Sequence, residues 1–386
     1  MERVNRGSAL MWVIVALVVV VGGFSILGGK GGAPSTETGP IKIGVIGPLT
    51  GDAAIYGEPF RNTVQLAIDE INATGGIGGR QVEAIYEDGQ CNGKEGANAA
   101  QKLVNVDKVQ AIIGGVCSGE TLTVVPIAEK GRVVVVSPSA SSPALTGISP
   151  YFFRPYPSDA SQGNVLANIA YTDKGWKKVA VIQEQVDYAV GLYKVFNQVF
   201  SGLGGKTVKE EFSSNVTDFR SVLTKLKAEK PDALFVLTQT AASTQRILKQ
   251  MEELNWKPQI ILDEASAGDK ETLTTYKSQL EGALTSEFIP DLSNAKLQKL
   301  MSDYKAKYGT ELPYLGYMAP AYDIVYILKD GIASVGYNGE KLATWSRTIK
   351  DWQGASGSVT ISSDGDRVGG YSSEVVHDGK TEPYKK

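Results

Sequence analysis

The 386-residue chain predicts an α/β protein of two similar lobes, and two observations carry that reading. From Ile41, short β-branched runs alternate with longer amphipathic ones: IKIGVIGPL, RNTVQLAIDEINA, QVEAIYED, GANAAQKLVNV, VQAIIGG, TLTVVPIAEKG and VVVVSP. Apolar strands separated by helix-length segments are what a parallel sheet with helices on both faces demands. The same alternation begins again near Ser158, through ASQGNVLANIAYTDKG, KKVAVIQE, YAVGLYKVFNQVFSGLG, TVKEEF, TDFRSVLTKLKAEK, ALFVLT, AASTQRILKQMEELN and PQIILDE. The length exceeds what one core organises, so each series is expected to form its own lobe.

Composition narrows the partners. A formal net charge of -3 with no long basic run excludes a nucleic-acid partner. Residues 8–29, SALMWVIVALVVVVGGFSILGG, form an apolar run behind Arg3 and Arg6, which suits export with the basic end left inside. Residues 1–29 are thus a signal peptide or an uncleaved membrane anchor. The run has about the 20 apolar residues that span a bilayer, which favours the anchor. No Cys follows it for lipid attachment, and residues 30–40, rich in Gly, Pro, Ser and Thr, read as a flexible linker. The rest of the chain is expected outside the cytoplasm. The only cysteines, Cys91 and Cys117, both lie in that exported part, where an oxidising compartment makes a pair plausible against two free thiols.

In open α/β sheets ligands collect beyond the carboxyl ends of the strands. Four such places follow apolar runs, at 48–56, 114–119, 137–142 and 263–266. In GGVCSGET, Ser118 and the next backbone amides open a helix and can face a carboxylate; the alternative is a plain cap. Ser139, Ser141 and Ser142 in SPSASSPALT repeat that logic, or form an ordinary Ser/Pro turn. Glu264 ends the strand of IILDEASAG, where it can pair with an ammonium group. Asp187 is a weaker acidic candidate, and most of the 42 acids are simply solvated. Tyr56 and Tyr188 offer apolar surface with a polar tip. Gln239 and Thr240 either line the side-chain end of a ligand or cap the next helix.

Catalysis has little to work with. The one histidine, His377, sits in SEVVHDGKTEP without supporting groups, and no G-x-S-x-G, H-E-x-x-H, P-loop or C-x-x-C occurs. GGIGGR at 75–80 superficially resembles a dinucleotide loop but follows a helix and precedes a strand, the wrong context for phosphate. No cofactor, metal or enzymatic activity is expected.

The segment IKIGVIGPLTGDAAIYGEPFRNTVQLAIDEINATGGIGGR strongly resembles the first strand, loop and helix of the leucine/isoleucine/valine-type periplasmic solute-binding proteins of ABC transporters. The likeness runs on through GGVCSGETLTVVPIAEK, VVVVSPSASSPALT, YFFRPYPSDASQG, KKVAVIQEQVDYAVGLY, TDFRSVLTKLKAEKPDALFV and SSDGDRVGGYSSEVVHDGK, covering 41–386. It implies a type I periplasmic-binding-protein fold: two Rossmann-like lobes joined by three crossovers, with the ligand cleft between them. The N-terminal lobe would comprise 41–157 and 289–356, the C-terminal lobe 158–288 and 357–386, with crossovers near 154–159, 286–290 and 354–358.

The resemblance also places Ser118 and Ser141, with the backbone of Ala140, on a ligand α-carboxylate and Glu264 on its α-ammonium. Tyr56 and Tyr188 match positions that close the pocket, and Cys91 and Cys117 match a disulfide found in several relatives. Two departures stand out. Asp187-Tyr188-Ala189-Val190-Gly191 replaces D-Y-G-x-G, and Thr238, Gln239, Thr240 and Ala241 stand where branched-chain binders often place aromatic residues, which counts against a leucine-like ligand. The family also takes amides, urea and aromatic acids; Glu264 favours an amino acid or analogue. The expected function is hinge closure on a small molecule for a membrane permease, the alternative a sensor handing the signal to a receptor partner.

Overall fold

The computed structural model describes residues 39–386. The expectations for 1–29, and nearly all of the 30–40 linker, therefore lie outside the described residues. The chain first lays down β1 (Ile41–Gly47), α1 (Ala54–Ala73), β2 (Val82–Asp88), α2 (Gly93–Asn105), β3 (Ala111–Ile113), α3 (Ser118–Lys130), β4 (Val134–Val136) and β5 (Phe152–Phe153). These strands form one parallel sheet in the order β2-β1-β3-β4-β5, with Ile41 opposite Val82 and Gly47 opposite Asp88. β3 and β4 are buried at every residue, as strands covered on both faces must be.

The second series follows with α4 (Asp159–Asn168), β6 (Lys178–Glu184), α5 (Asp187–Gly202), β7 (Lys206–Phe212), α6 (Arg220–Ala228), β8 (Ala233–Leu237), α7 (Ala241–Glu253) and β9 (Gln259–Leu262). Three short helices, α8 (Glu264–Ala267), α9 (Lys270–Thr275) and α10 (Lys277–Leu280), lead to β10 (Leu284–Glu287). The parallel part of this sheet runs β7-β6-β8-β9-β10, the same winding as the first. The sequence-level duplication is thus a duplication of topology.

The chain then returns to the first sheet with α11 (Ala295–Tyr308), α12 (Leu315–Val335) and α13 (Gly339–Ser346), followed by the hairpin of β11 (Trp352–Gly354) and β12 (Gly357–Val359). α12 buries Met318, Ile324, Ile327 and Leu328 in the same cluster as Ile43, Val45 and Phe60. Finally β13 (Ser372–His377) adds antiparallel to β10, and β14 (Lys380–Pro383) pairs with β13. The apolar contacts of the last passage are informative. Ala355, Val359 and Ile361 belong to the first sheet's core and Val376 to the second's, so the chain crosses between Ile361 and Val376, beyond the 354–358 suggested by sequence. Val359 and Ile361 alternate with more exposed neighbours, and that short stretch has apolar surface to bury only under the first sheet.

Arg154 sits where the first passage leaves β5 and is wholly buried. Its guanidinium donates to the carbonyls of Ala140 (2.7 Å) and Ser142 (3.1 Å), to Thr146 Oγ1 (3.0 Å) and to Asp366 Oδ1 (2.7 Å). One side chain therefore ties the serine-rich loop after β4 to the last passage between the sheets. Replacing Arg154 by Met is expected to cost about 3–5 kcal/mol in urea unfolding, because Asp366 and two buried carbonyls lose their donor together. Cys91 and Cys117 are joined in a disulfide spanning 26 positions. Its reduction is expected to remove about 3.5 kcal/mol by loop-closure entropy, read as a shifted denaturation midpoint with and without reductant.

Candidate functional site

The carboxyl ends of β1, β3 and β4 face those of β6, β8 and β9 across a closed cleft, and a small cavity of ≈ 30 Å³ lies between them. Tyr56, Ser118, Ser139, Ser141, Tyr188, Gln239 and Glu264 line it, so seven of the ten residues named from sequence meet at one place. Each arrives for a local reason. α1 starts so close to the turn after β1 that a Cβ on Gly57 would lie 1.9 Å from the Pro48 carbonyl; this approach carries Tyr56 inward. Ser118 is the first residue of α3 and does not cap it. Its Oγ instead accepts the backbone N–H of Ser142 at 3.1 Å, joining the two serine segments. The buried Glu120 accepts the Val116 N–H at 2.8 Å and holds the turn before α3.

Glu264 enters the cleft because its neighbour does not. Asp263 caps α8, accepting from Ser266 N at 2.8 Å and from Thr238 N at 2.6 Å, which turns it into the second lobe and leaves Glu264 facing outward from the strand end. The Tyr156 hydroxyl donates to Glu264 Oε2 at 2.7 Å, and the Tyr371 hydroxyl donates to Asp159 Oδ1 at 3.0 Å. Burial, together with the neighbouring Asp159 charge, pushes the Glu264 carboxyl well above the usual carboxylate range. Burial likewise raises Asp159 to about 7 and Asp263 to about 6. Among the described residues no Lys or Arg lines the cavity. The acidic side of the site is therefore short of one positive charge, while the opposite side presents serine hydroxyls and the N-terminus of α3, which favour a negative one.

Three expected residues stand elsewhere. Ala140 does not line the cavity, and both its backbone groups are engaged: its N–H donates to Ser137 Oγ at 3.0 Å and its carbonyl accepts from Arg154. Asp187 is exposed at the start of α5, where a Cβ on Gly119 would come within 2.7 Å of its carboxylate; it marks a lobe-to-lobe contact outside the cavity. Thr240 precedes α7 without capping it through its side chain, and its carbonyl accepts from Thr238 Oγ1 at 3.1 Å. The Gln239 backbone N–H is held by Glu184 Oε2 at 2.7 Å, which aims its side chain at the cavity.

The sequence reading missed the aromatic wall. Tyr317 of α12 lines the cavity, packed 5.9 Å from Tyr56 and 5.8 Å from Tyr156 between ring centroids. The aromatic surface absent at 238–241 is supplied by these rings. Tyr317 lies far along the chain from any strand end, and nothing in YLGYMAPAYD marks one tyrosine for the cleft. Asp159 carried a weak signal, as an acid in the first turn of a helix after Ser158.

The raised acids make the chain's stability depend on pH. An unfolded carboxyl ionises near pH 4, but the folded Asp159 and Asp263 keep their protons to about 7 and about 6. The folded state thus binds more protons, and stability is expected to fall as pH rises from about 5 to about 7. Lowered acids such as Glu70 and Asp88 are ionised throughout that window and do not contribute to the slope. Thermal melts of the wild type and Asp159→Asn check this: the slope should shrink in the variant.

A family model described as periplasmic binding protein matches residues 40–372. A Leu/Ile/Val-binding protein of Rhizobium johnstonii is 29% identical over 335 residues, covering 84% of this chain and 88% of that protein. A leucine-, isoleucine-, valine-, threonine- and alanine-binding protein of Pseudomonas aeruginosa is 28% identical, covering 77% of this chain and 79% of its own length. Among solved structures, a leucine-binding protein of Thermotoga maritima superposes with a TM-score of 0.81 at 30% identity, covering 89% of this chain and 98% of that one. The branched-chain amino acid substrate-binding protein of Streptococcus pneumoniae, in complex with isoleucine, gives 0.78 at 28% identity, with coverage of 89% and 98%. Matching winding in two sheets, a cleft at their facing strand ends and these likenesses agree: the chain belongs to the periplasmic binding protein family, with its likeness running to the branched-chain-amino-acid type.

Proposed function

We propose that this protein is the extracytoplasmic solute-binding component of an ABC transporter and that it holds an aliphatic α-amino acid between its lobes. The observation that carries the ligand class is the charge pattern of the cleft. Buried Glu264 has no Lys or Arg beside it among the described residues that line the cavity, and Ser118 stands with the start of α3 on the other side. A zwitterion places its ammonium on Glu264 and its carboxylate by the serines and the helix N-terminus. Tyr56, Tyr188 and Tyr317 then exclude water from the side chain. The Tyr188 hydroxyl has no partner among the described residues, which leaves it to reach the ligand.

The ligand is released unchanged. Hinge motion about the passages between the sheets would open the cleft, ligand would close it, and the closed form would be the one a membrane permease recognises. Residues 8–29 would hold the protein at the outer face of the membrane. Among the described residues no helix is long and apolar enough to cross one.

Two measurements test the amino-acid reading. Calorimetry with L-alanine, L-valine and L-leucine is expected to find saturable binding that Glu264→Gln weakens by about tenfold or more, since a buried ammonium loses its charge partner. Because burial raises the Glu264 carboxyl well above the usual carboxylate range, binding an ammonium there is expected to be coupled to loss of a proton. Binding heats should therefore vary with the buffer's ionisation enthalpy, and affinity should rise as the pH is raised. Binding of acetamide, urea or benzoate in place of the amino acids would keep the clamp and remove Glu264 from its assigned role.

A further inference from the structure

A second and larger cavity, ≈ 420 Å³, lies on the far side of Glu264 and Tyr317 from the cleft. Its walls come from three parts of the fold. Tyr314, Leu315 and Tyr317 belong to the start of α12 on the first sheet's core; Leu273 belongs to the second's; and Phe288 to Leu292 form the passage that joins β10 to α11. The volume falls in the range of small-molecule sites, and the walls are mainly apolar and aromatic, as such sites are.

Its polar end is unusual. Glu287 lines the chamber, and its Oε1 is shut from solvent and has no partner among the described residues. Across the antiparallel pair of β10 and β13, the buried Glu374 also has an unpartnered oxygen, Oε2, and the Thr381 hydroxyl serves both carboxyls. Burial and the adjacent Glu374 raise Glu287 to about 8, so the protein keeps a proton there for want of a cation. Lys270 and Lys380 stand exposed among the lining residues, and among the described residues no ion pair joins either of them to Glu287 or Glu374. A buried carboxyl pair of this kind is relieved by a positive group that brings its own hydrogen-bond donors. The rings of Tyr156 and Tyr314 line the chamber and suit a cation's approach, while the Phe288 ring already carries the Arg367 guanidinium 4.6 Å from its centroid.

We propose that this chamber is a second ligand site, separate from the amino-acid cleft, and that it takes a small apolar primary amine with its ammonium on Glu287 and its hydrocarbon part against Leu273, Phe288 and Leu292. Because both cores and a connecting passage supply its walls, an occupant favours the closed arrangement of the lobes and tightens amino-acid binding. By thermodynamic linkage the effect is reciprocal. This coupling rests on the hinge-closure reading; occupancy of the chamber does not.

The test titrates the full chain with 2-phenylethylamine, using 3-phenylpropionate and 2-phenylethanol as an anionic and a neutral control. Saturable binding of the amine alone is expected, weakened by about tenfold or more in Glu287→Gln. Leu292→Arg, at an exposed rim position, should weaken it several-fold through like charge without disturbing the fold. No binding by the wild type would overturn the proposal, as would binding of the anion in preference to the amine. An amine isotherm untouched by both variants but lost in Tyr56→Ala would place the amine in the cleft instead, and would likewise refute the second site. Tighter L-leucine binding in the presence of the amine reports the coupling, and its absence removes the coupling while leaving the site.

Discussion

The buried guanidinium of Arg154 is the interaction on which the cleft's geometry depends. A charge taken fully out of water is tolerated only with its donors satisfied, and here the acceptors are two carbonyls of the serine loop, a threonine hydroxyl and Asp366. The carbonyl of Ala140 is fixed from behind, which holds Ser139 and Ser141 toward the cavity. The carboxylate of Asp366 belongs to the last passage between the sheets, so the same side chain constrains the loop that presents hydroxyls and the strap about which the lobes move. Arg367 reinforces that strap, donating to the Ser356 and Ser358 carbonyls at 2.9 and 2.8 Å.

Against this rigid frame the cleft is electrostatically unfinished. Asp159, Asp263 and Glu264 are gathered within one buried region, and burial pushes each upward, with the charges of Asp159 and Asp263 adding at Glu264, that of Asp263 at Asp159 and that of Glu184 at Asp263. In a stable interior such a cluster would be paired, so its persistence has a functional reading: the missing charge is to be brought by the ligand. The serine segments and the start of α3 provide the opposite polarity a short distance away. Hydrophobic closure comes from tyrosines, whose rings bury area while their hydroxyls remain available, as at Tyr188.

The two cavities share a wall at Glu264 and Tyr317, and this sharing links them mechanically. Tyr156, which donates to Glu264 Oε2, also packs 5.4 Å from Phe288 of the passage that borders the larger chamber. A change of the passage is therefore felt by the residue that donates to Glu264.

Much of this was legible in the amino-acid order. Strands such as ALFVL announce themselves because burial on both faces requires a continuous apolar run, and helices because one face must be apolar at a 3.6-residue period. Ser118, Ser139, Ser141 and Glu264 were readable because parallel sheets deliver whatever follows a strand to the same edge. Tertiary structure alone decided the rest. Tyr317 reaches the cavity from a helix and Tyr156 reaches Glu264 from a passage, both placed by how two cores pack, and no local pattern distinguishes them from the other tyrosines. Ala140 and Asp187 sit at strand ends as expected, yet one is consumed by Arg154 within the first lobe and the other faces Gly119, a contact that only the docking of the lobes creates. The last passage likewise runs to beyond Ile361 because the burial of Val359 and Ile361 is settled by the surface they meet, which sequence periodicity does not encode.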